Sequence, residues 1–234
     1  MAVLGRTTMK LDIPNEKMRR KLEGLLTGIP GNFRYYPKRV SGLDQLVVFR
    51  NSGISCPEFT VRLEEARKWV EDGHQVFGRN KMHEKGTDIV DQGSSAWQRK
   101  DFWTKVIPKL REYRIHIFDD RCIQQGLRVF DPKAPRERDD GLPIWNTQTG
   151  YKYDHTFEPP SAGVELARRA VRSLEYLWGA VDVLEDESAR CYVLEVNTAP
   201  GMDETTAHAY ADAIKRCVER SKQHAASENP RQPS

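Results

Sequence analysis

Residues 179–202 read GAVDVLEDESARCYVLEVNTAPGM: two alternating apolar runs separated by a polar centre. This patterning predicts a β-hairpin with its turn in Asp186-Glu187-Ser188-Ala189. In that register Asp182 faces Glu195 and Ala180 faces Asn197. Side chains alternate across a strand, so Asp182, Glu195 and Asn197 share one face. Val181, Val183, Leu194 and Val196 fall on the other, as a core face. Opposed Cβ atoms in such a pair lie about 5 Å apart. Adjacent carboxylates repel unless a positive group lies between them. Oxygen donors of this kind suit Mg²⁺, and the Asn197 amide oxygen is a further hard donor. The plainer alternative is a solvated strand face whose charges have no role. Against it stands Asn197-Thr198-Ala199-Pro200-Gly201-Met202, a rigid turn that would hold the ligand strand against the next helix.

Working outward, Val76-Phe77-Gly78-Arg79 reads as a strand ending in a cation. A polar loop with one glycine follows (Asn80 to Thr87), then a strand at Asp88-Ile89-Val90-Asp91. Such a loop can close over phosphates with backbone N–H groups, Arg79 adding charge-assisted bonds. It matches no standard phosphate-loop motif, and a surface hairpin fits it as well. Two long strands are expected at Glu112 to Phe118 and Arg121 to Phe130, joined at Asp119-Asp120. In the first, Arg114 and His116 alternate with Ile115 and Ile117, giving a cationic face and an apolar one. Arg128 belongs to the neighbouring strand.

The remaining elements follow from periodicity. Gln45 to Arg50 (QLVVFR) reads as a strand. Pro57 to Asp72 reads as a helix with Phe59, Leu63, Ala66 and Val70 as its stripe and Gly73 as its stop. Ser161 to Trp178 is expected as a helix, with Val164, Ala167, Val171, Leu174 and Trp178 at helical spacing. A short hairpin is expected over Trp145 to Asp154 around Thr149-Gly150, and a last helix from about Asp203 to Lys222. Residues 131–143 read as a mobile loop, and the last dozen residues as a disordered tail. Residues 1–40 are basic and broken by Pro and Gly, with one helix candidate from Glu16 to Leu26.

Composition sets limits. The chain has 234 residues, 38% hydrophobic and 30% charged, which suits a globular protein with one large or two small cores. No apolar run approaches the ~20 residues of a membrane span, and the N-terminus lacks a signal-peptide pattern, so a cytoplasmic setting is expected. Cys56, Cys122, Cys191 and Cys217 form no C-x-x-C pair and read as reduced thiols. The net charge of +3 does not by itself argue for nucleic acid. The Tyr35-Tyr36-Pro37-Lys38-Arg39 cluster keeps that partner open, weakly. No Ser/His/Asp or Cys/His triad signature and no H-E-x-x-H are present.

Together the cation-strand-loop-strand, the E-Y-R-x-H strand, V-D-V and E-V-N-T-A-P-G resemble the ATP-grasp superfamily. The likeness covers about residues 45–220. It looks closest to short phage-encoded ATP-grasp proteins of the carboxylate–amine ligase type. More distantly it is similar to ribosomal-protein glutamate ligases and D-alanine–D-alanine ligases.

The resemblance implies an α+β fold in which two α+β subdomains with antiparallel sheets grip ATP between them. It divides the chain into a reduced N-terminal region (1–73), an ATP-grasp core (74–222) and a tail (223–234). Within the core, 74–105 is the small subdomain with phosphate loop and hinge, and 106–222 the larger one with the metal site. Asp182, Glu195 and Asn197 match the Mg²⁺ ligands, for two ions with Mn²⁺ as a possible substitute. Arg114 and Arg128 match catalytic positions near the transferred phosphate. Arg79, Lys81, Gly86, Thr87, the hinge residues Trp103, Thr104 and Lys105, and Asn146 are the expected ATP contacts. Arg79 stands where many relatives carry lysine. The implied partners are ATP, a carboxylate and an amine (amino acid, peptide or protein), without a membrane, in the host cytoplasm if phage-encoded. The implied reaction is amide formation through an acyl phosphate. A phosphotransferase on the same fold and a non-catalytic nucleotide-binding or assembly protein are the alternatives. On this reading Asp182→Asn removes a metal ligand and leaves the fold intact.

Overall fold

The structure is a computed structural model that describes residues 21–22, 25–26, 40–81, 88–134, 144–145 and 149–227. The chain divides into two compact units, Arg39–Asn197 and a second that joins Met1–Lys38 to Thr198–Ser234.

The larger unit holds two antiparallel sheets. It opens with helix α1 (Gly42–Asn51), strand β1 (Phe59–Thr60) and helix α2 (Leu63–Glu71). Strands β2 (Val76–Arg79), β3 (Val90–Asp91) and β4 (Phe102–Lys105) follow, and the first sheet has the order β1-β4-β2-β3. Next come β5 (Arg111–Phe118), β6 (Arg121–Phe130), β7 (Tyr151–Asp154), helix α3 (Ser161–Ser173), β8 (Trp178–Glu185) and β9 (Cys191–Asn197). These strands form the second sheet, in the order β7-β6-β5-β8-β9. Its inner face buries Tyr113, Ile115, Ile117, Val181, Val183, Val193 and Val196 against α1 and α3. A smaller core lies under the first sheet, where Val76, Trp97 and Trp103 meet Ala66 of α2.

The hairpin β8–β9 has the expected register at its site end, Asp182 opposite Glu195 and Ala180 opposite Asn197. Beyond Asp182 the register slips, so that Val183 pairs with Val193 and Leu194 is an extra, bulged residue. The core face therefore takes Val193, fully buried, in place of the expected Leu194, which is only partly buried. The β5–β6 turn falls at Asp119-Asp120 as expected, both in the left-handed region at φ 48° and 60°.

Several expectations are corrected. Gln45 to Arg50 is helix, not strand. The Val-Val-Phe run suggests β-structure, but Ser41 caps the helix by accepting from the Asp44 amide at 3.1 Å. Leu43, Leu46 and Phe49, spaced by three, bury into the main core, and packing overrides propensity. The helix expected from Pro57 starts only at Leu63, because Phe59 and Thr60 pair with Thr104 and Trp103. The helix from Ser161 ends at Ser173 rather than Trp178. Glu175 turns left-handed at φ 58° and the Tyr176 amide closes back onto the Val171 carbonyl at 3.1 Å. Trp178 then opens β8 and stacks on Phe118. Of the hairpin expected over Trp145 to Asp154, β7 pairs with β6 and Trp145 is outside any strand; residues 146–148 lie outside the described residues.

In the other unit, α4 (Glu204–Ser227) starts where the Thr206 amide donates to Asp203 at 2.7 Å. Its buried residues Ala207, Tyr210, Ala211, Ile214 and Cys217 recur at helical spacing. The helix runs through Gln223–Ser227, where a disordered tail was expected; the Ala pair there favours helix and the first breaker is Pro230. Lys21 donates to the Met202 carbonyl at 2.6 Å. No helix among the described residues is long and apolar enough to cross a membrane.

Candidate functional site

Strand alternation builds the site on the face of the second sheet opposite its core. Along β5, Tyr113, Ile115 and Ile117 enter the core, so Glu112, Arg114 and His116 point the other way. Arg114 lies between Gly126 of β6 and Asp182 of β8, and Asp182 faces Glu195 of β9. One row across three strands thus carries a cation and two carboxylates.

These groups form a buried charge chain. The Arg114 Nε and an Nη donate to the two Asp182 oxygens at 2.7 and 2.8 Å, a bidentate fork. Arg128 donates to Asp182 at 3.0 Å and sets its Nε 2.9 Å from Glu112. Glu112 also receives Lys109 Nζ at 2.7 Å. Both arginines lie over the Tyr153 ring, at 5.0 and 5.2 Å from its centre. Lys109 stacks over Trp145 at 4.3 Å. Burial opposes the Arg114 charge, but the Asp182 carboxylate outweighs it and raises the pKa. For Lys109 burial prevails over Glu112 and lowers the pKa. Tyr153 is held protonated by burial first and the Asp182 charge second.

Arg79 comes from the first sheet. Burial lowers its pKa, with the charges of Glu195, Asp88 and Glu112 pulling the other way. Its Nε is buried and has no hydrogen-bond partner among the described residues, nor has one oxygen of Asp88. A buried guanidinium N–H costs free energy unless something accepts from it. An anion placed among these groups would satisfy it.

The expected residues are therefore only partly assembled. Arg79, Arg114, Arg128, Asp182, Glu195 and Asn197 belong to one neighbourhood. Thr104 pairs with Phe77 and is buried, on the same strand face as Arg79. Trp103 and Lys105 turn to the opposite face. The Trp103 indole donates to the Trp97 carbonyl at 3.1 Å, while Lys105 pairs with Glu58 at 2.9 Å and lies over Trp69. Alternation along β4 makes it impossible for Thr104 and its two neighbours to face one ligand with their side chains. Lys81 is exposed, and its amide donates to Asp101 at 2.8 Å. Gly86, Thr87 and Asn146 lie outside the described residues. Sequence reading missed Glu112, Lys109 and Tyr153. Glu112 has the same strand parity as Arg114 and was findable; Lys109 and Tyr153 carry no such signal.

Asn197 Nδ2 donates to Glu195 at 2.8 Å, so an amide oxygen and a carboxylate stand side by side as hard donors. They fit a divalent cation of the Mg²⁺ kind. Asp182 differs from expectation in being already committed: three N–H groups occupy a carboxylate with about four acceptor sites. No cluster of three or more His, Cys, Asp or Glu with metal-holding geometry occurs among the described residues.

No protein-family model matches the sequence, and no curated protein matches it. Solved structures do. The ATP-grasp ligase PsnB, solved with Mg, ADP and a phosphomimetic variant of its minimal precursor, aligns with TM-score 0.58 and 13% identity. The alignment covers 76% of this chain and 58% of PsnB, so the chain spans under two thirds of that protein. D-alanine–D-alanine ligase from Bacillus anthracis aligns with TM-score 0.56 and 15% identity, over 79% of this chain and 69% of that one. Macrocyclase MdnC from Microcystis aeruginosa MRC, bound with precursor peptide MdnA, aligns with TM-score 0.54 and 14% identity, over 87% and 70%. Two antiparallel sheets in this order, with these likenesses, identify the architecture: the chain has the ATP-grasp fold.

Proposed function

We propose that this chain is an ATP-dependent carboxylate–amine ligase. The observation that carries the reading is Arg79: its buried Nε–H has no acceptor among the described residues, and it lies in the same neighbourhood as Glu195, Arg114 and Arg128. ATP phosphates are the anion that fold would bring there. In the reaction, a carboxylate oxygen attacks the γ-phosphorus and ADP leaves. The amine then attacks the acyl carbon, phosphate leaves, and the amine loses a proton. No covalent nucleophile is required, so catalysis rests on positioning and charge.

The roles divide by geometry. Glu195 and Asn197 would hold Mg²⁺, which when bound neutralises phosphate charge. Asp182 anchors Arg114 and Arg128; it becomes a ligand only if a phosphate takes over one of those arginine contacts. Arg114 and Arg128 are oriented by Asp182, Glu112 and the Tyr153 ring, ready to meet charge on the transferred group. Lys81, Gly86 and Thr87 are proposed for the phosphate loop, the 102–105 backbone for the hinge, and Asn146 as a further ATP contact. The small (74–105) and large (106–222) subdomains are part of this proposal, as is a peptide or protein substrate, supported by the precursor peptides bound in PsnB and MdnC structures. A reducing, cytoplasmic setting, a host cell's if the phage likeness holds, fits the four free cysteines.

The test is Tm with ATP or a non-hydrolysable analogue, with and without Mg²⁺, followed by a phosphate-release screen of carboxylate and amine pairs. A Mg²⁺-dependent rise and amine-dependent phosphate release are expected. Phosphate appearing on the substrate instead identifies a phosphotransferase, and no nucleotide effect on folded protein removes the reading.

A further inference from the structure

Strand β9 carries Glu195 and Asn197 and is the outermost strand of its sheet. An outermost strand leaves alternate N–H and C=O groups without a ladder partner. At Val196, between the two site residues, both groups point away from β8 and meet one side chain. The Gln45 amide oxygen accepts from the Val196 N–H at 2.8 Å, and Gln45 Nε2 donates to the Val196 carbonyl at 3.2 Å. The second Nε2 hydrogen goes to the Val40 carbonyl at 3.3 Å. One primary amide thus stands in for a neighbouring strand. It is buried (8% exposed), so no water competes for these bonds. Three residues earlier the Ser55 carbonyl accepts from the Val193 amide at 2.8 Å, on the other side of the Leu194 bulge.

We propose that Gln45 is a positioning residue for the cation donors: its amide clamp on Val196 fixes where Glu195 and Asn197 stand relative to Asp182 and Arg79. The inference rests on the nucleotide and metal reading above. Bulged strands bend and twist, so β9 needs a second constraint beyond the bulge. Gln45 supplies it at the residue flanked by both donors. The side chain comes from α1, whose Leu43, Leu46 and Phe49 are locked in the core, so the clamp is rigid. Without it, two buried backbone groups lose their partners, and β9 can relieve this only by moving the strand that carries the donors.

The experiment measures Mg²⁺ affinity at saturating ATP analogue, and analogue affinity without Mg²⁺, in wild type, Gln45→Met and Gln45→Glu. Methionine keeps the length and loses both hydrogen bonds. The expected result is at least a tenfold weaker Mg²⁺ affinity in Gln45→Met, with Mg²⁺-free nucleotide affinity within about twofold, which also shows that the site is folded. In Gln45→Glu the carboxylate has no donor for Val196 and repels its carbonyl, but the protonated acid restores donor and acceptor. Its deficit relative to wild type at the same pH should therefore narrow as pH falls from about 9 to about 6. A wild type with no Mg²⁺-dependent nucleotide binding overturns the parent reading and this inference with it. A wild type that binds, with Gln45→Met unchanged in Mg²⁺ affinity, overturns this inference alone. So does a Gln45→Glu deficit that does not narrow, which would mark packing damage.

Discussion

Asp182→Asn should destabilise the protein even without nucleotide, contrary to what a pure metal ligand would do. Asp182 takes three charge-assisted hydrogen bonds, at 2.7, 2.8 and 3.0 Å, with its side chain 6% exposed. The amide keeps one acceptor oxygen and turns an N–H₂ toward a guanidinium, so at least one contact becomes donor against donor. Removing one partner of a buried pair costs about 3–5 kcal/mol. Arg114 is 16% exposed and can recover some hydration, so the low end applies, about 3 kcal/mol. For a chain of this size that lowers Tm by roughly 6–12 °C. Urea unfolding at neutral pH, with m-values checked for constancy, measures the loss. In Asp182→Asn combined with Arg114→Met, part of the loss should return, because the stranded charge is gone. If Asp182→Asn unfolds within about 1 kcal/mol of wild type at unchanged m, the arginine pair does not depend on Asp182 and the argument fails.

Arg79→Met should weaken Mg²⁺-free ATP-analogue binding at least tenfold while costing little urea stability, since burial already disfavours the Arg79 charge and its Nε has no acceptor among the described residues; unchanged binding by calorimetry would remove Arg79 from the phosphate site. In Gly179→Ala the new Cβ would run into Val196 Cγ1 and approach Val171 Cγ2 at 3.2 Å, so a loss of about 1–3 kcal/mol is expected by urea titration. Burial raises the Cys56 thiol to about 11, Arg50 opposing weakly. Its iodoacetamide labelling at pH 8 should be roughly a hundredfold slower than a free thiol's. The linked stability is fully present below the unfolded thiol's ~8.5 and lost as pH rises toward the folded value. Burial would raise the Asp186 carboxyl, but bonds from the Arg190 amide and guanidinium and the Ser188 amide bring it below the ordinary range. The turn's stability should then hold above the unfolded carboxylate value and be lost as pH falls through the folded one, which NMR titration of Asp186 follows.

The hairpin register and the long β5–β6 pair were legible because alternation with a period of two survives in sequence. The same parity put Asp182, Glu195, Asn197 and Arg114 on one face. It did not reveal that Asp182 is spent on arginines, because that depends on β6 and β7 folding Arg128 and Tyr153 over it. Gln45 was illegible for a different reason. QLVVFR has strand-like composition, and only the core positions of Leu43, Leu46 and Phe49 make it a helix. The side chains of Trp103 and Lys105 turn away from Thr104 because a strand shows its residues to opposite sides in turn, which a hinge read as one continuous segment does not register.

The bulge at Leu194 also separates two kinds of inheritance in the hairpin. On the turn side, Val183 pairs with Val193; on the site side, Asp182 pairs with Glu195. Deleting Leu194 alone would join two registers that are each already correct, giving an unbroken ladder without turning any other side chain over. Deleting Val193 instead would give the same register with Leu194 in its place on the core face, whereas adding a residue after Glu195 would invert one half. The hairpin therefore has one position where its length is negotiable, beside the residues whose phase is not.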